Sequence, residues 1–140
     1  MEHELIYTSC ATREMSEKDL IELLEQSREK NARLNITGLL LYGNREFAQI
    51  LEGEKNEIFN LYDTIVKDDR HHHVDLFWES KIERKSFSDW SMAFLNINDI
   101  DKNKLKAYSE FLQEGISSLN LTGDKSRGRQ LMIGMKDSFL

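Results

Sequence analysis

The sequence predicts a ferredoxin-like α+β fold, in which elements in the order βαββαββ build one sheet with two helices on one face. Two observations indicate this fold. Strand-like and helix-like apolar periodicities alternate along the chain as far as Leu95. Gly43 and Asn44 form a turn signal between two strand-like runs, which predicts a hairpin after the first helix. With 140 residues, the chain has the size of one ordinary domain.

Five short segments have the composition of strands. We predict them at Leu5–Ser9, Thr37–Tyr42, Phe47–Leu51, Val74–Ser80 and Ser91–Leu95. Two longer segments have apolar residues at a helical period. The first begins after Ser16, and Asp19 gives it an acidic first turn; its inner stripe is Leu20, Leu23, Leu24, Ser27 and Asn31. The second begins near Asn56 and ends near Asp68; its inner stripe is Ile58, Leu61, Tyr62, Ile65 and Val66.

The chain after Asn96 is harder to assign. Apolar residues over Leu105–Leu112 predict a third helix, whereas Ile116–Leu140 has glycines and no clear period, which fits a short helix or a loose tail. We therefore divide the chain into a domain over 1–96 and a C-terminal helical extension over 97–140 that serves output or oligomerisation.

Composition excludes several classes of protein. Hydrophobic residues make up 39% and charged residues 31%, as in soluble globular proteins. A formal net charge of −6 argues against nucleic acid as a partner. The apolar run Ile36–Tyr42 is too short to span a membrane, and the first residues do not resemble a signal peptide, so we expect a cytoplasmic protein. The single cysteine, Cys10, excludes an internal disulfide framework and a cysteine-based zinc site.

Two amides fall where apolar side chains are expected. Asn31 continues the inner stripe of the first helix, seven residues after Leu24, but from this residue alone the pattern favours an asparagine that caps the end of that helix. Gln49 shares a strand face with Phe47 and Leu51, and the sequence does not decide whether this face or the opposite one packs against the helices. A buried amide needs hydrogen-bonding partners, since an unsatisfied one costs about 1–3 kcal/mol.

Three consecutive histidines, His71–His73, invite a metal interpretation. Alternate residues of a strand share a face, so His71 and His73 could converge while His72 could not. Without a cysteine or carboxylate at a fixed spacing this signal is weak, and we expect no metal cofactor. Paired carboxylates for acid–base catalysis and phosphate-binding glycine loops are not evident either.

Several motifs together resemble the BLUF family of flavin-binding blue-light photoreceptors, in its short, stand-alone form. They are Leu5-Ile6-Tyr7-Thr8-Ser9, Ser27-Arg28-Glu29-Lys30-Asn31, Asn35-Ile36-Thr37-Gly38-Leu39-Leu40-Leu41-Tyr42, Phe47-Ala48-Gln49-Ile50-Leu51-Glu52-Gly53, Asp68-Asp69-Arg70-His71 and Phe87-Ser88-Asp89-Trp90-Ser91-Met92. Each motif is common alone, but all six in this order and spacing are specific. The resemblance covers about residues 5–95.

The resemblance implies a flavin between the first two helices, usually FAD, with FMN or riboflavin as alternatives. Asn31 would hydrogen-bond the polar edge of the isoalloxazine ring. Arg70 would reach the opposite carbonyl side, and His71 would pack near the ring. Gln49 would bridge the hydroxyl of Tyr7 and the N5/O4 edge of the flavin. Blue light would then draw an electron and a proton from Tyr7, and rotation or tautomerisation of Gln49 would leave a changed hydrogen-bond pattern.

The resemblance also implies supporting residues and partners. Ile36, Ile65 and Val66 would form apolar walls of the flavin site. Trp90 and Met92 would lie on the strand that relays the signal between dark and lit states. The implied output is a downstream signalling protein that the sequence does not identify, and the C-terminal extension is consistent with a homo-oligomer. Nothing after Asn96 resembles a cyclase or phosphodiesterase domain, so either the output is a separate protein or the sequence is part of a longer chain.

The resemblance implies a sensor and not an enzyme, but two alternatives stay open from the sequence. One is a small ferredoxin-like enzyme whose flavin performs redox catalysis, although an acid, a base and a nucleophile for a substrate are not evident. The other is an interaction module of the same fold without a cofactor. Light-dependent absorption, reduction by a nicotinamide or a colourless folded protein distinguishes the three.

Overall fold

The computed structural model describes residues 2–100, 103 and 125–140. The strands are β1 (Glu2–Ala11), β2 (Thr37–Gly43), β3 (Glu46–Gly53), β4 (His71–Ile82) and β5 (Ala93–Asn96). The helices are α1 (Glu17–Arg33), α2 (Lys55–Val66) and α3 (Lys125–Phe139), with a short 3-10 turn at Ile97–Asp99. The helix predicted over Leu105–Leu112 lies outside the described residues.

The five strands form one sheet in the order β4-β1-β3-β2-β5. All neighbours are antiparallel except β2 and β5, which run parallel. This arrangement confirms the predicted ferredoxin-like α+β fold. Two strand boundaries differ from the prediction. β4 extends beyond Val74–Ser80 at both ends, and β5 begins at Ala93, so that Trp90 and Met92 lie before the strand and not on it.

α1 and α2 cover one face of the sheet, which we call the inner face. α1 begins with a capping box between Ser16 and Asp19, and it buries Leu20, Leu24 and Asn31 as its periodicity predicts. α2 buries Ile58 and Leu61. Val66, however, is 46% exposed, so its assignment to the inner stripe was wrong. It follows Leu61 by five residues, which places it about 140° around the helix from that buried position.

The opposite side of the sheet, the outer face, packs against α3. Met132 and Met135 of α3 are buried against the apolar residues of this face. The guanidinium of Arg129 forms an ion pair with the buried carboxylate of Glu4 on β1. Lys136 Nζ donates to the backbone carbonyl of Ser86 at 2.9 Å. Of the segment for which the sequence left a helix or a loose tail open, 116–124 lie outside the described residues, and the remainder contains a docked helix. No helix among the described residues is long and apolar enough to cross a membrane.

The pairing of β1 with β4 contains two irregularities. The register shifts between Ile6 and Tyr7 and again between Thr8 and Cys10. At the second shift His73 has a φ of 52°, in the left-handed region that non-glycine residues rarely adopt. Such bulges change where the side chains of the longer strand point, so the simple alternation of faces assumed for the histidines does not apply here.

Candidate functional site

A cavity of about 230 Å³ lies on the inner face between α1 and α2. Its apolar lining is Leu23, Leu40, Phe47, Leu61 and Ile65. Its polar lining is Tyr7, Gln26, Ser27, Lys30, Asn31, Gln49, Thr64, Asp68, Arg70 and His71. Apolar walls with a few converging polar groups are typical of a site for a small organic molecule.

Tyr7 and Gln49 stand side by side on paired strands at this cavity. The phenol of Tyr7 donates to Gln49 Oε1 at 2.5 Å, and Gln49 Nε2 donates to the sulfur of Met92 at 3.4 Å. Gln49 is 5% exposed and points to the inner face with Phe47 and Leu51, which settles the question that the sequence left open. Burial raises the pKa of the Tyr7 hydroxyl, so the phenol keeps its proton at neutral pH and acts as a donor.

Asn31 lies within α1 and is 2% exposed. The C-cap of α1 is Leu34, so the alternative in which Asn31 itself caps the helix is wrong. Its side-chain Nδ2 donates to the carbonyl of Ser91 at 2.9 Å. This bond ties α1 to the segment before β5, and among the described residues it is the one hydrogen bond that the Asn31 amide makes.

Two side chains, those of Asp68 and Gln26, hold Arg70 beside the cavity, after the end of α2. Its Nη2 donates to Asp68 Oδ2 at 2.5 Å, its Nε lies 3.0 Å from both oxygens of the same carboxylate, and Nη1 donates to Gln26 Oε1 at 3.1 Å. The hydrogen bonds from Arg70 hold the pKa of Asp68 below its usual range. The guanidinium is thus fixed as a cation beside the cavity, with α1 and the α2–β4 connection on either side.

His71 packs its ring near two aromatic residues of the site. Its ring centre lies 6.3 Å from that of Tyr7 and 6.4 Å from that of Phe47, both edge-on. Nε2 lies 2.5 Å from the carbonyl oxygen of Ile65, and Nδ1 lies 2.8 Å from the hydroxyl of Ser9. Because a carbonyl only accepts, Nε2 donates to Ile65, while Nδ1 shares a hydrogen bond with the hydroxyl of Ser9.

Four of the predicted site residues do not line the cavity. Ile36 is buried in the inner core, and Val66 is exposed at the end of α2. Trp90 packs on the outer face, whereas Met92 is buried on the inner face and reaches the site through Gln49. The structure therefore gathers Tyr7, Asn31, Gln49, Ile65, Arg70 and His71 at the cavity.

Sequence reasoning missed four polar residues of the lining, namely Gln26, Lys30, Thr64 and Asp68. Lys30 and Asp68 were named only as members of motifs and given no role, and Gln26 and Thr64 were not singled out. The Asp-x-Arg spacing of Asp68 and Arg70 was the one available signal, since a carboxylate two residues before an arginine is close enough to fix it. Gln26 and Lys30 lie one helical turn apart on α1, on the side that turns to the cavity.

Comparison with known proteins identifies the class of site. A family model described as "Sensors of blue-light using FAD" (BLUF) matches residues 3–93. The chain is 40% identical over 90 residues to the "Photoactivated adenylate cyclase subunit beta" of Euglena longa, covering 64% of this chain and 10% of that protein. It is 30% identical over 70 residues to the "Blue light- and temperature-regulated antirepressor BluF" of Escherichia coli (strain K12), covering 50% of this chain and 17% of that one.

Two solved structures are similar over almost the whole chain. The structure described as "BlsA photo-activated state" has a TM-score of 0.79 and 25% identity, and the match covers 100% of this chain and 96% of that one. The structure described as "BlrB - a BLUF protein, dark state structure" has a TM-score of 0.70 and 26% identity, with 92% and 96% covered. This chain spans about a tenth of the length of the cyclase subunit, so the comparison does not extend to the rest of that protein.

The residues at the cavity fit a flavin. The ring system of a flavin is flat and apolar on its faces, and the apolar side chains around the cavity supply matching walls. Its edge carries both donors and acceptors, and the two buried carboxamides at the cavity, Asn31 and Gln49, each offer both kinds of atom. Gln49 Nε2 has a thioether sulfur, a weak acceptor, as its present partner, so a stronger acceptor in the cavity would compete for it.

Proposed function

This chain belongs to the BLUF family of blue-light sensors that use FAD, and on that premise we propose that Tyr7 and Gln49 form its light-driven switch. The observation that carries the proposal is the buried hydrogen bond from Tyr7 to Gln49 Oε1 beside a cavity that fits a flavin. Blue-light sensing is the function of the family, and a flavin is its cofactor. The redox-enzyme alternative is not favoured, because the family model describes a sensor.

The chemistry of the switch divides between the flavin and the protein. When bound, FAD supplies an electron acceptor that blue light excites. Tyr7 is the proposed electron donor, and its proton moves along the 2.5 Å bond to Gln49 Oε1. The amide of Gln49 then rotates or tautomerises, so that its donor and acceptor ends exchange. Electron and proton return to Tyr7, and no net oxidation remains; what persists is the altered hydrogen bonding.

The neighbouring residues hold the site without taking part in electron transfer. We infer that Asn31 positions the polar edge of the flavin and that Arg70, fixed by Asp68 and Gln26, places a positive charge beside it. His71 packs edge-on against Tyr7 and is held by the carbonyl of Ile65, so it fixes the position of the phenol ring. Met92 is the first residue beyond the switch, because its sulfur accepts from Gln49.

Substitution of Gln49 by leucine tests the switch. The variant is expected to bind flavin and to lose the small red shift that blue light causes in flavin absorption, because leucine has no donor or acceptor to exchange. Tyr7→Phe is expected to bind flavin without photocycling. Gln130→Leu, the same replacement at an exposed position of α3, serves as the matched control and should shift like the parent. A normal red shift in Gln49→Leu would exclude Gln49 as the switch.

The output of the sensor is a second part of the proposal. We infer that residues 1–96 sense light and that 97–140 serve output or oligomerisation, with a separate protein as the receiver of the signal. Two observations support this: α3 docks on the outer face through Glu4 and Ser86, and an antirepressor and a cyclase subunit are among the relatives. A pull-down in darkness and under blue light tests it, and a partner captured equally in both conditions would contradict signalling through it.

A further inference from the structure

The bulge between β1 and β4 gathers three side chains that ligate transition metals. Cys10 on β1 pairs directly with His72 on β4, so both project from the same side of the sheet. His73, with its φ of 52°, turns its ring towards that of His72 instead of pointing to the opposite face. The bulge thus brings together two consecutive histidines that a regular strand would separate, and the strand pairing adds the cysteine.

The geometry of this cluster, Cys10–His72–His73, is close to that of a metal site. The sulfur of Cys10 and one ring nitrogen from each histidine all lie within 4.8 Å of one another. The Nδ1 atoms of the two histidines face each other in direct contact. In a tetrahedral zinc site these ligand atoms are about 3.3–3.5 Å apart, as follows from Zn–N and Zn–S bonds of about 2.0 and 2.3 Å. Both histidines are exposed, so small side-chain rotations reach that spacing.

The charges around Cys10 favour a cation. The carboxylates of Glu46 and Asp75 and the guanidinium of Arg45 are the charged groups that act on the Cys10 thiol. Two carboxylates against one guanidinium leave its surroundings net negative, which favours a divalent cation. On binding, the ion replaces the thiol proton, which is released to solvent while a metal–sulfur bond forms.

We propose that Cys10, His72 and His73 bind one Zn²⁺ ion, with the fourth position of the tetrahedron taken by water. One thiolate and two imidazoles suit zinc, whereas Mg²⁺ and Ca²⁺ require oxygen ligands. The site is distinct from the flavin cavity: His71 faces that cavity and is engaged by Ser9 and Ile65, so it is not a ligand. This site differs from the sequence analysis, which excluded a cysteine-based zinc site because the cysteine is single, and which expected His71 and His73 to converge and not His72.

Zinc binding to the flavin-loaded protein tests the proposal. The protein is prepared without a polyhistidine tag, since a tag binds the same ions, and zinc is titrated in competition with a chromophoric chelator. One equivalent is expected to bind with a Kd of about 1 μM or tighter. Cys10→Ser and His73→Asn should each weaken binding by at least about tenfold, because each removes a ligand. Glu83→Gln, at an exposed position beyond the end of β4, is the control and should leave the Kd unchanged.

Two further measurements distinguish zinc binding at the three-ligand site from nonspecific binding to surface histidines. Each variant must retain the flavin spectrum, which shows that it is folded. With Co²⁺ in place of Zn²⁺, the parent should gain a thiolate-to-metal charge-transfer band in the difference spectrum, and Cys10→Ser should not. A Kd weaker than about 1 μM overturns the proposal. Binding that Cys10→Ser leaves unchanged overturns it as well, since that describes an imidazole contact and not the three-ligand site.

Discussion

Replacement of Arg129 by methionine tests how firmly α3 is held on the outer face. The carboxylate of Glu4 is 1% exposed in the sheet. It accepts a hydrogen bond from the indole Nε1 of Trp78 at 2.8 Å. It also accepts two hydrogen bonds from the guanidinium of Arg129, one from Nη2 to Oε2 at 3.3 Å and one from Nε to Oε1. Methionine keeps most of the aliphatic length of arginine, so the substitution removes the charge and its hydrogen bonds but little of the packing.

The expected loss of stability is about 2 kcal/mol. Removing one partner of a buried ion pair costs about 3–5 kcal/mol when the other charge is left uncompensated. Here the cost is smaller because the side chain of Arg129 is 27% exposed and Glu4 keeps the hydrogen bond from Trp78. A hydrogen bond to a charged group contributes about 1.5–3 kcal/mol, which brackets the same value. For a domain of this length, the melting temperature should fall by about 6 °C.

Urea denaturation in darkness, with flavin at a fixed saturating concentration, measures this loss. The comparison is a double-mutant cycle with Glu4→Gln, which isolates the pair from the other effects of each substitution. Arg13→Met breaks an exposed ion pair with Asp19 and should cost at most about 0.5 kcal/mol. A loss below about 0.5 kcal/mol for Arg129→Met, together with no coupling in the cycle, would refute the role given to this ion pair.

Two further predictions concern the sheet and the flavin site. Gly38→Ala should lower the free energy of unfolding by about 3 kcal/mol or more in urea denaturation, because the added Cβ would lie 1.9 Å from the carbonyl oxygen of Ile50. Gly53→Ala is the control and should cost much less, because its nearest contact is a side-chain carbon at 3.2 Å. Equal losses in the two variants would contradict this steric explanation. Arg70 holds the pKa of Asp68 low, so the stability from this pair is present above pH about 4 and is lost as the pH falls through the lowered pKa. When urea midpoints are measured against pH, Asp68→Asn should no longer show the part of the stability loss at low pH that comes from this pair. A pH dependence identical to that of the parent would contradict the role given to Asp68.

The sequence predicted those parts of the fold that depend on local periodicity. The stripe of α1 was correct from Leu20 to Asn31, because a helix buries residues at a period that the sequence displays. For β3 the pattern was insufficient: Ala48 and Ile50 are as buried as Gln49, since α1 and α2 cover one face of the sheet and α3 the other. A strand buried on both sides has no polar face to show its orientation.

The sequence failed where the arrangement depends on distant contacts. α3 carries two glycines and several charges, and its docking depends on Arg129 meeting Glu4 from the other end of the chain. The grouping of Cys10 with two histidines required the register of β1 with β4 and the left-handed backbone of His73. Neither feature has a signature within a short window, so both became visible only in the folded chain.

The segment over residues 90–92 joins the switch to the rest of the molecule. Three hydrogen bonds reach its carbonyls: Gly38 N to Trp90 (3.3 Å), Asn31 Nδ2 to Ser91 (2.9 Å) and Arg28 Nε to Met92 (3.0 Å). The same segment places Met92 on the inner face and Trp90 on the outer face, where it packs in the cluster that includes residues of α3. It therefore connects Gln49, through Met92, to the cluster on the other side of the sheet that includes residues of α3.

The free energy of the hydrogen bond between Gln49 and Met92 limits the conformational change that the switch can cause through this segment. Exchange of the amide ends of Gln49 breaks its bond to the sulfur of Met92, while the three bonds to the backbone of the segment stay intact. A neutral hydrogen bond contributes about 1 kcal/mol net, and a thioether is a weaker acceptor than oxygen. Loss of this contact alone thus shifts an equilibrium by about fivefold at most. We expect a larger light response only if the segment also releases Asn31, whose bond to Ser91 links it directly to the flavin site.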